Sequence, residues 1–579
     1  MTPSSHGAAA GFRGQFRTDD AARAAYSEAA GIGRIMPRAV AEPLDGADVV
    51  ALVRWAHEGR VPLVPRGSGS SMAGGAIGDG VIVDLTRLDH VGPVERSLSG
   101  ARLARPGLAT GAVARCTAGP GALCATVDAA AAALGLRFPV DPSSGAYCTV
   151  GGMAATNAAG PHSMRAGAMR RWVIGLDCVF DDGSRAWIRR GAPPPVEVPA
   201  VSRLLAWAAE HARTPMPVRA GVRKESGGYA LPAWRESGEL VDLLVGSEGT
   251  LALFVGLELA LDERPVHTAT VLAAFATLDG TTRGAALART GCASACELLD
   301  RTFLEVAEEG RLSLAIPPGS EAVLLAEVEV HDAGDMPASA GGLAQRFRDA
   351  GATMVVEALR PADEHALWAL RHAASPILAR LDPSLASMQF IEDGCVPPER
   401  LGEYVRGVRE ALARHGTRGV IFGHAGDAHV HVNPLVDLRR PGWRDTVVAL
   451  LAEVVSLTRR LGGTLAGEHG DGRLRAPLTA ASWPADAAAL FAGVKAAADP
   501  AGILNPGTIV PLAGQQAIEA VKYDPSLPAL PAAARAALDR VAMGRAYATS
   551  RLALVDDPAA AAEPAAAGVT RMDDTSAAF

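Results

Sequence analysis

Lysine is almost missing from this 579-residue chain. Lys224, Lys495 and Lys522 are three of 55 cationic residues and arginine supplies the rest, so a lone arginine carries little information. An excess of positive charge is missing too: 55 Lys and Arg against 63 Asp and Glu leave −8, which excludes nucleic-acid binding driven by bulk charge. The seven cysteines (Cys116, Cys124, Cys148, Cys178, Cys292, Cys296 and Cys395) are scattered and form no Cys-x-x-Cys. That excludes a disulfide framework and a ferredoxin-type iron-sulfur run. No run of about 18 uncharged apolar residues occurs. The most apolar stretch, VDLLVGSEGTLALFVGLELAL, is cut by Ser247, Glu248 and Gly249, so no segment reads as a membrane span. The opening MTPSSHGAAAGFRGQ has neither the charged start nor the apolar middle of a signal peptide, and the expectation is a cytoplasmic protein, at most peripheral to the inner membrane. What remains is an ordinary folded composition, 49% hydrophobic with a mean hydropathy of +0.15. At about 150 residues per domain, the length predicts two to four domains or lobes.

Between Leu44 and Leu88 the pattern reads helix (DGADVVALVRWAHEG), apolar strand (VPLVP), small-residue turn (RGSGSSMAGGAIGDG) and strand (GVIVDLTRL). Strand signals continue to about Leu261, and a second region beginning at Arg264-Pro265 again mixes strands with helices. An α+β chain of two main units follows: a lead over 1–35, a first unit over 36–263, a second over 264–510 and an Ala/Pro-rich tail over 511–579. Within that tail PALPAAARAALDRVAMGRAYA can hold one helix, whereas DDPAAAAEPAAAGVTRMDDTSAAF reads as disorder.

In PRGSGSSMAGG (65–75) the glycines allow positive φ and close ligand approach, so that successive amides can converge on a phosphate. It is neither a Walker loop nor a Rossmann turn, since a strand follows it, and taken alone it equally describes a surface turn. A second segment of the same character runs over 141–173, and a third, VGSEGTLALF, supplies Glu248 and Gly249. Two such stretches in one unit suggest an extended ligand lying against backbone.

The most chemically loaded stretch is FGHAGDAHVHVNP (422–434), followed by GGTLAGEHGDGRLR (462–475). Strand periodicity over 428–433 puts His429, His431 and Asn433 on one face, with His424 arriving from the preceding loop. Glu468 and His469 sit between Gly467 and Gly470, on backbone free enough to aim both side chains into one site. Imidazoles with a carboxylate are the ligand set of zinc or another borderline divalent metal. The bland alternative is an exposed strand face with scattered histidines.

The first unit resembles the flavin-binding domain of the vanillyl-alcohol-oxidase, or p-cresol-methylhydroxylase (PCMH), superfamily. Its motifs occur in order as PRGSGSS (65–71), DPSSGAYCTVGGMAATNAAG (141–160), KESGGYAL (224–231) and GSEGTLAL (246–253). The resemblance implies a PCMH-type two-lobed FAD-binding domain. FAD would lie against Pro65, Arg66, Gly67, Ser68, Gly69, Ser70 and Ser71, then Pro142, Ser143, Thr149, Gly151, Gly152, Asn157 and Gly160, with Glu248 and Gly249. Some members tether the flavin through His or Cys. The first loop carries neither, so non-covalent FAD is expected, with His162 and Cys148 the nearby residues that leave an opening for a bond.

The second unit resembles the carboxy-terminal, substrate-binding (cap) half of FAD-linked D-2-hydroxy acid dehydrogenases, the relatives of D-lactate and D-2-hydroxyglutarate dehydrogenase and of the glycolate oxidase subunit. The matching motifs are GHAGDAHVHVN (423–433), GEHG (467–470) and DPAGILNPG (499–507), the last contributing Asn505. The resemblance implies metal ligation by His424, His431 and Glu468, substrate contact by Asn433 and His469, and a substrate-carboxylate clamp at Arg371 with Ser375 one turn on. Two departures stand out: the family's Gly-Asn is Ala428-His429, and Ile391 occupies the place of the lysine found in relatives specific for longer diacids. The implied chemistry is oxidation of a D-2-hydroxy acid, of the D-lactate or D-2-hydroxyglutarate class, to its 2-oxo acid. Hydride goes to flavin and the hydroxyl proton to His469, with a divalent metal, zinc first among candidates, to chelate the substrate. The electron acceptor (quinone, cytochrome or electron-transferring flavoprotein) is not legible. Two other readings stay open, a non-redox FAD enzyme of the alkylglycerone-phosphate synthase type and a flavin-binding subunit of a larger oxidoreductase.

Overall fold

The computed structural model describes residues 10–97, 107–109, 111–291, 293–309, 316–372 and 385–557. In the first lobe, strands Leu63–Arg66 and Ala39–Glu42 lie parallel on either side of Val81–Asp84, and Gln15–Arg17 closes the edge antiparallel. Helix Gly46–Gly59 makes the crossover. Asp45 caps it by accepting from the amides of Ala47 and Asp48, and Val49, Leu52, Val53 and Ala56 form the stripe buried on the sheet. The glycine-rich loop leaves the end of Leu63–Arg66, where a side chain on Gly67 would meet Thr149 Oγ1 at 2.1 Å. Only glycine lets this loop lie against the 141–152 segment.

The second lobe is an antiparallel sheet in the order Glu95–Arg96, Ala114–Ala118, Leu253–Glu263, Val173–Val179, Arg185–Arg189. Its long central strand is buried from Leu253 to Leu261, which explains why it reads as a continuous apolar run and not as an alternating one. The second unit holds an eight-stranded antiparallel sheet in the order Ala352–Ala358, His267–Phe275, Ala322–Val330, Ala295–Asp300, Arg418–His424, His429–Asp437, Leu385–Ser387, with Gly394–Cys395 also pairing to His429–Asp437. Helices Leu278–Thr290, Met336–Asp349, Leu401–Arg414 and Trp443–Arg460 share one core with it. The chain then returns: Leu490, Phe491 and Val494 of helix Ala485–Ala498 join the core of the second FAD lobe, and Leu504 bridges to Leu63.

The tail holds the helix expected within 528–548 and a second, short one after it. Residues 511–557 hold two α-helices, Ala532–Gly544 and Arg551–Asp556, packed through Ala534, Ala537, Val541 and Leu552 onto Ala22 and Ala25 of helix Asp20–Ala25 and onto Tyr26, which caps it. Alanines on both helices let the backbones approach closely, and Tyr26, Val541, Leu552 and Leu554 fill the core between them. The stretch expected to be disordered lies, from residue 558 on, outside the described residues, as does Ser375. Among the described residues no helix is long and apolar enough to cross a membrane.

Candidate active site

A single cavity of about 1290 Å³ runs between the FAD lobes and the second unit. Of the residues expected at the flavin, Pro65 to Ser71, Pro142, Ser143, Thr149, Gly151, Gly152, Glu248 and Gly249 all line it. Asn157, Gly160 and Asn505 do not; they stand behind the wall and shape it. Asn157, at φ +53, accepts the Arg170 amide on Oδ1, and Asn505 Nδ2 donates to the carbonyls of Gly75 and Glu248 at 3.0 and 2.7 Å. Gly160 lies so close to Asp141 that a side chain there would meet the Asp141 carbonyl oxygen at 2.3 Å. Cys148 lines the cavity, whereas the ring of His162 is held elsewhere, between Asp141 and Glu327.

The histidines come from the hairpin Arg418–His424/His429–Asp437. Strand alternation sends Ile421, Val430 and Val432 into the helix-covered core. The opposite face carries Phe422, His431 and Asn433, and register pairs Phe422 with His431. His424 ends its strand opposite Glu297 of Ala295–Asp300. The connection closes through Ala428 at φ +54, the left-handed conformation that favours the glycine of the family pattern.

Three donor atoms form a nearly equilateral triangle. His424 Nε2 lies 3.3 Å from Glu468 Oε1 and 3.5 Å from His431 Nε2, and His431 Nε2 lies 3.5 Å from Glu468 Oε1. Tetrahedral ligands about 2.1 Å from a zinc ion are spaced about 3.4 Å apart, so the triangle has the dimensions of one face of such a shell. Each imidazole is aimed by a bond at its other nitrogen: His424 Nδ1 to Glu297 Oε1 at 2.6 Å, His431 Nδ1 to the Glu392 carbonyl at 2.9 Å. His429 is turned differently. Its Nε2 is bound to Asp393 at 2.7 Å, its Nδ1 stays 3.9 Å from Glu468 Oε2, and burial lowers it to about 4.

The loop bearing Glu468 is pinned by Asp393, which accepts the amides of Glu468 and His469. Lys224 Nζ holds Glu468 Oε2 at 2.6 Å, leaving Oε1 to the triangle. Burial opposes the Glu468 charge, but Lys224, His424 and His429 overcome it and hold the carboxyl well below its usual range. For His469 burial also works against the charged form, yet Glu392, bound to Nδ1 at 2.6 Å, and Asp393 lift it to about 10. Arg371 reaches the cavity wall from helix Pro361–His372, its Nε donating to Glu297 Oε2 at 2.8 Å, so one buried carboxylate aims both Arg371 and His424.

Two family models match in tandem: "FAD binding domain" over residues 37–189 and "FAD linked oxidases, C-terminal domain" over residues 264–509. The chain belongs to the FAD-linked oxidase family. It is 27% identical over 497 residues to the glycolate oxidase subunit GlcD of Bacillus subtilis, covering 85% of this chain and 93% of that one. It is 29% identical over 487 residues to the D-lactate dehydrogenase of Archaeoglobus fulgidus, covering 82% and 93%. To the D-2-hydroxyglutarate dehydrogenase of Pseudomonas putida it is 28% identical over 528 residues, 86% of this chain and 51% of that longer protein. Among solved structures it is similar to the 4-ethylphenol oxidase of Gulosibacter chungangensis (TM-score 0.60, 16% identity, 86% and 94% covered), a likeness of fold alone. The same holds for an alkyldihydroxyacetonephosphate synthase (TM-score 0.55, 14% identity, 85% and 82% covered). The chain is thus an FAD-linked oxidoreductase of the D-lactate, D-2-hydroxyglutarate and glycolate oxidase family, with a PCMH-type FAD-binding domain.

Residues of this FAD-linked oxidase that motif reading missed fall into two sets. Glu297, Lys224, Glu392, Asp393 and Arg475 surround the histidines, and Arg475 is paired to Glu392. The adjacent acids in FIEDGCVP and the rare lysine in KESGGYAL were the available signals. Tyr523, Arg545 and Tyr547 line the cavity from the tail, and no motif announced them. Glycines that bring the 65–75 loop against the 141–152 segment, and Ser71 Oγ, buried without a hydrogen-bond partner among the described residues, fit a dinucleotide.

Proposed function

We propose that this protein oxidises a D-2-hydroxy acid of the D-lactate or D-2-hydroxyglutarate class to the 2-oxo acid, with non-covalent FAD and a divalent metal, zinc first among candidates. The observation that carries the reading is the His424–His431–Glu468 triangle beside the cavity that the flavin loop lines, with Arg371 and His469 on the same wall. When bound, FAD supplies the two-electron acceptor for the Cα hydride and the metal a Lewis acid for the substrate's hydroxyl oxygen.

The chain's residues do the rest. Arg371 holds the substrate carboxylate through a planar, charge-assisted pair, and Glu297 fixes the guanidinium's orientation. His469, anchored through Nδ1 by Glu392, is the assigned acceptor of the hydroxyl proton on Nε2; because Glu392 and Asp393 lift it to about 10, the step draws on the minor deprotonated imidazole and flavin reduction should rise with pH up to about 10. Asn433 orients the substrate, and Ser375 is assigned to the carboxylate end. His424, His431 and Glu468 keep a fixed ligand face because Glu297, the Glu392 carbonyl and Lys224 occupy their remaining polar atoms. Ile391, at the place of the diacid lysine, packs in the helix-covered core and not on the cavity wall, so that position offers no cation to a second substrate carboxylate.

An anaerobic screen of D- and L-2-hydroxy acids against the flavin absorbance, with and without chelator, tests the reading. Bleaching by a D-enantiomer, lost on chelation and restored by zinc, is expected. Bleaching that survives exhaustive chelation removes the metal, and no bleaching by any hydroxy acid leaves the non-redox or subunit reading.

A further inference from the structure

Two arginines, Arg66 and Arg551, adjoin the loop Gly67–Ser71, a third, Arg545, lines the same cavity, and none of them has a carboxylate in salt-bridge distance among the described residues. Arg66, 2% exposed, donates only to carbonyls, those of Tyr26, Ala76 and Glu28. Arg551, 3% exposed, donates to the Ser68 carbonyl at 3.0 Å and to the Ala546 and Thr549 carbonyls, while its Nε has no partner among the described residues. Burial and the like charge of Arg66 bring Arg551 down to about 10. Asp84, whose field reaches both arginines, is occupied by the Tyr26 hydroxyl and by Thr86. Arg545 lines the cavity itself, and its charge reaches Tyr147, whose ring lies 5.5 Å from that of Tyr547. Buried like charges without a counterion are unfavourable in a closed protein and become favourable when an anion enters between them.

Backbone geometry singles out Arg545. It caps helix Ala532–Gly544 at φ +54, a left-handed position that glycine fills at no steric cost. Arginine is held there at such a cost, with its side chain on the wall of a cavity already rich in unpaired cations and in amides freed by glycine. The matched C-terminal family domain ends at residue 509, so this element lies outside both modules.

We propose that the tail from Tyr523 to Arg551 is a built part of the cofactor site, and that Arg545, with Arg551 behind the loop, binds the diphosphate of FAD. The inference rests on the cavity being the FAD site and adds a cationic clamp that neither domain supplies.

The test compares full-length wild-type holoenzyme with Arg545→Gly and Arg545→Lys. Release of FAD on dilution is followed by flavin fluorescence, ADP serves as competitor for rebinding, and thermal midpoints are read on the FAD-free protein, where ligand linkage does not enter. Loss of one charge-assisted contact predicts FAD release and ADP affinity changed by about ten- to a hundred-fold in Arg545→Gly, with Arg545→Lys recovering part of each. The midpoint of Arg545→Gly stays unchanged or rises, because glycine suits the cap. Release and ADP competition equal to wild type overturn the proposal alone. So does a lowered midpoint with no rescue by lysine, which makes the tail only a brace. A wild-type protein that does not hold FAD overturns the cofactor reading, and the proposal with it.

Discussion

Two walls of one cavity are built on different electrostatics. Around the hairpin, Glu297, Glu392, Asp393 and Glu468 are answered inside the chain by Arg371, Lys224 and imidazoles at 2.6 to 3.3 Å and by the paired Arg475. Around the loop Gly67–Ser71, the described hydrogen bonds and ring contacts of Arg66 and Arg551 are to carbonyls and tyrosine rings, Asp84 reaches both only through its field, and Arg545 lines the same cavity. The first wall is close to self-neutral, and what it presents to the cavity is the ligand face of His424, His431 and Glu468. The second carries positive charge that the described residues leave unanswered. A buried network complete within the chain marks where chemistry is positioned, and one left open marks where a charged ligand finishes the fold.

The comparison breaks most visibly at the triangle. His431→Ala should lower hydroxy-acid-driven flavin reduction by about a hundred-fold or more, since even outer-shell partners of a metal cost about 10- to 100-fold, while flavin content stays at the wild-type level. Stopped-flow absorbance and the protein-to-flavin ratio check both; parent-rate reduction removes the metal role. Next is Lys224→Met, which leaves Glu468 buried without its ammonium and should destabilise the protein by about 3–5 kcal/mol. Added zinc should restore much of the lost thermal midpoint, more than it adds to wild type; equal zinc responses would show that Lys224 does not share Glu468 with the ion.

Glu248 sharpens the comparison through pH. Burial, with Asp471 adding to it, raises its carboxyl from 4.5 to about 8, against the amides of Asp471 and Gly472 that it accepts. The folded protein therefore holds a proton that the unfolded chain has released. That stabilisation is full below pH 4.5 and is lost as pH rises to about 8. Glu248→Gln should flatten the fall of thermal midpoint across this window; a profile parallel to wild type refutes the shift. The smallest effect is expected at Ala428→Gly, which relieves the left-handed φ and should stabilise by about 1 kcal/mol or less without changing turnover, measured by denaturant unfolding.

Legibility differed along the chain. The triangle was readable because its donors sit in two short segments whose strand period and flanking glycines already imply convergence: His424, His431, and Glu468 beside His469. Glu297, Glu392, Asp393 and Lys224 were not, since a lone acid or lysine has no period to place it. Asn157, Gly160 and Asn505 match the motifs yet stand behind the wall, because a motif preserves the bends that shape a site along with the groups that touch its ligand. The helix at Ala532–Gly544 was legible in its segment, but its docking on helix Asp20–Ala25 was not, since no spacing along the chain links residues more than 500 apart.

By itself the sequence determined what is local: the strand that alternates His431 and Asn433 against Val430 and Val432, the glycines that let two loops meet, and a composition able to bury large cores. Tertiary structure decided which charges are answered. Whether Arg371 and His424 share Glu297, and whether Arg545 and Arg551 find a counterion, depends on segments from 74 to 483 residues apart along the chain, such as Glu297 with Arg371 and Ser68 with Arg551. Coulombic pairing in a desolvated interior depends on distance in space, a quantity that spacing along the chain does not carry.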